Sequence, residues 1–139
     1  MTEIFVQNRQ RRLAVDRRGL EEFARRALAL ALLENGKDLT ALAEIHVLLV
    51  SDRRIAQLHQ RFLQIAGPTD VITFQHGEIF ISVETAACAA KSQRTSLAHE
   101  LRLYLVHGLL HLHGFDDHEP AARALMHATQ ERLVAAAGG

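Results

Sequence analysis

Residues 95–118, TSLAHELRLYLVHGLLHLHGFDDH, decide how this chain is read. Thr95 or Ser96 can cap a helix start with a side-chain oxygen. The helix predicted from there runs to about His113, and Gly114 is placed to end it in the left-handed conformation. Its last stretch, 107–118, holds four histidines and two aspartates in twelve positions. An advance of 100° per residue carries His111 about 40° round and about 6 Å along from His107, so both imidazoles leave one face. His113 falls about 240° round, on the far side, and reads as a solvent-facing or packed side chain.

Two imidazoles at this spacing suggest a metal ion but do not complete a catalytic zinc site. Such a site usually has three protein ligands and an open position for water. The third ligand must come from beyond Gly114. An extended segment of four residues spans about 13 Å, so His118 can reach back; Asp116 and Asp117 are shorter alternatives offering a carboxylate oxygen. Imidazole suits zinc and similar ions, which favours His118. Zinc peptidases of the H-E-x-x-H type place Glu directly after the first histidine as general base, and here that position is Gly108. Proteolysis therefore ranks low. The chemistry expected is that of a metal-bound water whose pKa the ion brings to about 7, with no protein general base evident beyond Asp116, Asp117 or Glu119.

The rest of the chain builds a scaffold for that helix. EIFVQ (3–7) and RLAV (12–15) read as short strands. From Leu20, the apolar residues Phe23, Ala24, Ala27, Leu28 and Ala31 form the stripe of an amphipathic helix that Gly36 is placed to end. AEIHVLLVS (43–51) reads as a buried strand. Ser51 or Asp52 then caps a helix presenting Ile55, Leu58 and Phe62 on one side. GPTD (67–70) is turn chemistry, in which Thr69 and Asp70 cap backbone groups. VITF and EIFIS flank Gln75, His76 and Gly77 as a hairpin. Residues 84–93 suit a short helix, and a last helix starts near Pro120. The pattern predicts one α+β domain over 1–139, a small mixed sheet of about four strands packed by several helices.

Composition narrows the class. A chain of 139 residues, 48% apolar and 23% charged, can bury a real core and is not disordered. Net charge is zero, so no global field draws it to nucleic acid. Residues 1–61 carry eleven Lys/Arg against eight Asp/Glu, and residues 62–139 carry five against eight. The basic run QNRQRR (7–12) is either a solvated face or a polyanion contact. Cys88 is alone, which excludes an internal disulfide and fits a reducing compartment; within ETAACAA it reads as a packed small hydrophobe. No apolar run approaches the roughly 20 residues of a membrane span. The N-terminus lacks the order of a secretory signal, so the cytoplasm is expected.

Three segments together resemble a known family. HGLLHLHGFDDH is similar to the YbeY signature H-G-x-L-H-L-x-G-Y/F-D-H, PTDVITF (68–74) to its P-T-D-V-L-S-F, and GEIFIS (77–82) to its G-D/E-I-x-I-S. They stand in the family's order and cover most of the chain from about residue 43. The resemblance implies a small α+β fold with a zinc-type site and a bacterial or organellar endoribonuclease cutting single-stranded RNA. It further implies maturation of the small-subunit ribosomal RNA 3′ end and ribosome quality control, with ribosomal RNA precursor and ribosomal particles as partners. Carried over by position, the metal ligands are His107, His111 and His118.

Two departures stand out. In the family the third histidine follows the second by six residues; here His118 follows His111 by seven, and Asp117 takes the usual position. Family members often carry an arginine seven residues before the Asp of P-T-D-V, which here is Leu63. Arg61, two residues earlier, is the candidate for holding phosphate. The rival readings are a metallohydrolase acting on peptide or amide bonds and a zinc-stapled assembly factor. The staple would need a fourth protein ligand such as Asp117 or Cys88.

Overall fold

The β-branched run at 44–50 becomes the strand on which everything else is laid. In the computed structural model, which describes residues 1–36 and 38–138, strand β2 (Glu44–Val50) lies between β1 (Glu3–Asn8) and β4 (Glu78–Ser82) and is parallel to both. Strand β3 (Val71–Phe74) pairs antiparallel with β4, giving the order β1-β2-β4-β3. The architecture is α+β with a mixed four-stranded sheet. Gly77, at φ 115°, closes the β3–β4 hairpin. A side chain there would strike the Glu44 carbonyl of the neighbouring strand at 2.6 Å.

Alternation along the strands sorts side chains to two faces. Ile45, Val47 and Leu49 of β2, with Ile79 and Ile81 of β4, enter the larger core. Helices α1 (Arg17–Ala31), α4 (Leu97–Leu112) and α5 (Pro120–Gly138) fill it with Phe23, Leu105, Leu109 and Leu133, among others. Leu48, Val50, Ile72 and Phe80 point to the opposite face, where Ile55 and Leu58 of α2 (Asp52–Leu63) cover them. Burial on both faces is why β2 reads as a nearly continuous apolar run. Helix α3 (Val83–Gln93) turns the chain from β4 toward α4. Ser51, Ser82 and Ser96 cap α2, α3 and α4, each accepting from an amide three residues on.

Four expectations are corrected. RLAV is not a strand: the Gln10 side chain donates to the Leu13 carbonyl and accepts from its amide, which folds 10–13 into a turn. Helix α1 stops at Ala31 rather than near Gly36, because the amides of Leu33 and Glu34 turn back to carbonyls three residues earlier. Gly36 has another use, since a Cβ there would lie 2.2 Å from the His113 carbonyl oxygen. Phe62 does not join Ile55 and Leu58 in the core but remains 51% exposed at the end of α2. Cys88 is also exposed, because α3 buries Ala86 and Ala90 instead.

Candidate metal centre

Helix α4 is pressed onto the sheet at Gly108. An added Cβ would come within 2.7–3.0 Å of three Ile79 side-chain carbons, so only glycine permits this approach. Position 108 therefore faces β4 and not the cleft, and a general base placed there would have no access to substrate. With that side of α4 buried, His107 and His111 emerge on the other, half-buried. Their Nε2 atoms face each other at 3.1 Å.

Each ring is held from behind. Gln130 of α5 accepts a hydrogen bond from Nδ1 of His107 at 2.9 Å, and the Phe115 backbone bonds to His111. With Nδ1 donating to Gln130, Nε2 of His107 keeps a lone pair facing Nε2 of His111, an arrangement that a bound cation or a shared proton would satisfy. Burial, and next the neighbouring His107, hold the His111 imidazole below its ordinary 6.5, against Asp117, the Phe115 backbone and Asp116, which pull it up. A ring biased toward its neutral form is one that can donate to a metal.

The third donor comes from the turn after α4. Gly114, at φ 99°, ends the helix as expected, and the chain returns over the histidines. Oδ2 of Asp117 sits 3.7 Å from Nε2 of His111 and 3.9 Å from Nε2 of His107. Donors about 2.0–2.1 Å from a tetrahedral ion stand about 3.3 Å apart, so a triangle with edges of 3.1, 3.7 and 3.9 Å needs little contraction. Two imidazoles and a carboxylate form a donor set that zinc and similar ions accept.

The structure brings His107 and His111 together and leaves the His118 ring apart from them. His118 is 86% exposed in its side chain and lies 3.5 Å from Asp116 Oδ1. The extra residue of the turn has moved the histidine one place along. Asp117 was legible as a carboxylate alternative at the family's usual position. Gln130 carried no such signal, because it lies nineteen residues beyond His111 with no diagnostic spacing.

The remaining candidates have definite places. His113 is 1% exposed. Its Nδ1 accepts from the Leu39 amide at 3.4 Å and its Nε2 donates to the Glu34 carbonyl at 3.1 Å, clasping the segment that follows α1. Asp70 accepts from its neighbours, the Val71 amide and the Thr69 hydroxyl, as turn capping requires. His76 pairs with Glu78 at 2.7 Å and stacks on Phe74. Arg61 lies on α2, which packs on the opposite sheet face from α4, with its guanidinium over the Phe62 ring. Cys88 is in neither His/Asp group able to hold an ion among the described residues. Sequence reading passed over Tyr104, one turn before His107 on the same face. Its phenol is pushed up to about 12, first by burial and then by Asp70 and Glu100, so it stays protonated.

The chain is similar to known proteins in sequence and in fold. A family model described as Endoribonuclease YbeY matches residues 5–138. The chain is 33% identical over 143 residues to Endoribonuclease YbeY of Gluconobacter oxydans, covering 99% of this chain and 84% of that one. It is 35% identical over 116 residues to the protein of the same name from Mycobacterium tuberculosis, covering 70% of this chain and 66% of the relative. The solution structure of TM1509 from Thermotoga maritima superposes with a TM-score of 0.66 at 26% identity, over 96% of this chain and 87% of that one. With its signature helix, returning turn and hairpin all inside the matched span, the chain belongs to the YbeY family.

Proposed function

We propose that residues 1–139 act as one metal-dependent endoribonuclease domain that cuts single-stranded RNA. The observation that carries this reading is the convergence of His107, His111 and Asp117 donor atoms in a chain whose named relatives are endoribonucleases. The ion is divalent and, from the donor set, zinc first. Asp117 is the third ligand in our reading; His118, which the family motif supplies, is the alternative. A cation held there would supply a Lewis acid and a water acidic enough to ionise near neutrality.

The chain's own residues do the positioning. Gln130 fixes the His107 ring, and Gly114 turns the chain so that Asp117 meets both imidazoles. Tyr104 keeps a hydroxyl proton available as a donor one turn away. Arg61 remains a candidate for RNA contacts outside the cleft, since Leu63 stands where the family often has arginine. The substrate we infer is ribosomal RNA precursor at the small-subunit 3′ end, met on ribosomal particles in the cytoplasm. Zero net charge favours delivery by such a partner over unaided attraction to RNA. Among the described residues no helix is long and apolar enough to cross a membrane.

The test is cleavage of an end-labelled single-stranded RNA by zinc-loaded protein, chelated protein and the His107→Ala/His111→Ala double variant. Cleavage by the loaded wild type alone is expected. Undiminished cleavage by metal-free protein rejects the reading.

A further inference from the structure

The α5 helix presents Arg123, Met126, His127 and Gln130 at intervals of three, four and seven residues, which is one helical face. That face lines an open cleft of about 240 Å³ together with His107 and Asp117. Gln130, at one end, is already committed to His107. Arg123, at the other, donates from Nε to the Asp117 backbone carbonyl at 3.1 Å. This bond uses one of the five guanidinium donors, and its position on the group leaves the two terminal nitrogens available. Arg123 is exposed and stands in no ion pair among the described residues. The cleft thus sets His107 and Asp117, two corners of the donor triangle, beside a guanidinium fixed to the same turn. Arg61, on the far side of the sheet, does not line it.

From this juxtaposition we infer that Arg123 binds the phosphodiester of the RNA beside the metal centre. The inference rests on the endoribonuclease reading above and assigns that site its phosphate-holding residue. A planar guanidinium matches two phosphate oxygens at once, and tethering through Nε sets its plane before substrate arrives. The contact forms in the ground state and persists through cleavage, so its loss shows chiefly in KM. The same Nε bond also steadies Asp117. A purely structural brace would be felt in metal affinity and not in phosphate binding.

The experiment compares wild type, Arg123→Ala and Arg123→Lys on a fluorescein-labelled single-stranded RNA of twelve nucleotides. Cleavage kinetics are taken at saturating zinc. Zinc affinity is measured by calorimetry, and RNA affinity of metal-free protein by anisotropy across a salt series. Arg123→Ala is expected to raise KM about tenfold or more, with Arg123→Lys intermediate. The slope of log affinity against log salt should flatten by about 0.7, one phosphate contact on a single strand. Added guanidinium ion should restore part of the lost rate in Arg123→Ala. An unchanged KM and salt slope, or a rate loss that tracks weaker zinc binding and recovers with excess zinc, overturns the assignment. Wild type that cleaves nothing while binding zinc overturns the endoribonuclease reading instead, so the two failures are distinct.

Discussion

The Gln130 side chain does for His107 what a carboxylate or backbone carbonyl does at many metal sites: it fixes which ring nitrogen carries the proton. With Nδ1 donating to the amide oxygen at 2.9 Å, Nε2 keeps its lone pair for the ion. Removing such a partner typically costs 10- to 100-fold in metal affinity. Gln130→Ala is therefore expected to weaken zinc binding by about that factor in calorimetric titration, with the melting temperature of the metal-free protein little changed. Gln130→Glu, which still accepts, should bind at least as well as wild type. Equal affinity in Gln130→Ala would mean that the ring is oriented by packing alone. His113 illustrates the opposite fate of a histidine in the same run. Its two ring nitrogens are spent on the Leu39 amide and the Glu34 carbonyl, which makes it a buried clasp with nothing left for a ligand.

At the scale of elements, the seat of α4 on β4 sets where the histidines emerge. Gly108→Ala would gain about 1 kcal/mol of helix propensity on an exposed helix. Here the new methyl meets Ile79 at 2.7 Å, and overpacking of this kind costs about 1–3 kcal/mol. A net loss of stability in urea denaturation is expected. A double-mutant cycle with Ile79→Ala should show the two changes partly cancelling; strict additivity would mean that the contact is not the cause. The helices and the hairpin were legible because their signals are local: caps at Ser51 and Ser96, a glycine terminator at 114 and the turn residues at 75–77. The failures were those that tertiary contacts decide. RLAV has strand composition, but the Gln10 side chain captures its backbone. Gly36 looks like a helix stop, yet its smallness serves the approach of His113. Phe62 fits the α2 stripe by spacing but sits at the helix end, where its ring meets Phe74 of the outer strand β3 edge-on and stays half exposed. In the site, the helical pair followed from geometry alone. The choice between Asp117 and His118 depended on how a turn of a few residues folds back, which no periodicity encodes.

Across the whole molecule, α5 closes the fold over the end of α1. Arg132 forms two hydrogen bonds to the Glu34 carboxylate, at 2.7 and 3.2 Å. The Arg132 bond is the main reason that carboxyl sits below its ordinary 4.5; partial burial opposes it, and the charges of Arg132 and His113 add to it. A carboxyl lowered in the folded state stabilises the protein above its unfolded value and loses that contribution as pH falls through the folded one. Melting curves of wild type and Arg132→Gln should therefore separate above about pH 4.5 and converge below it. Curves that stay parallel down to acid pH would show that the pair is not coupled to folding. High salt should narrow the gap, since both groups are near the surface.

The arrangement of α4, the Gly114 turn and α5 gives our proposal one consequence that binding can read directly: two imidazoles and the Asp117 carboxylate would hold the ion. Zinc titration of wild type, Asp117→Asn and His118→Ala by calorimetry at neutral pH addresses it. Asp117→Asn is expected to lose at least about tenfold in affinity, while His118→Ala binds as wild type does. Unaltered binding in Asp117→Asn, with affinity lost in His118→Ala, would contradict the site described and return the third position to the histidine.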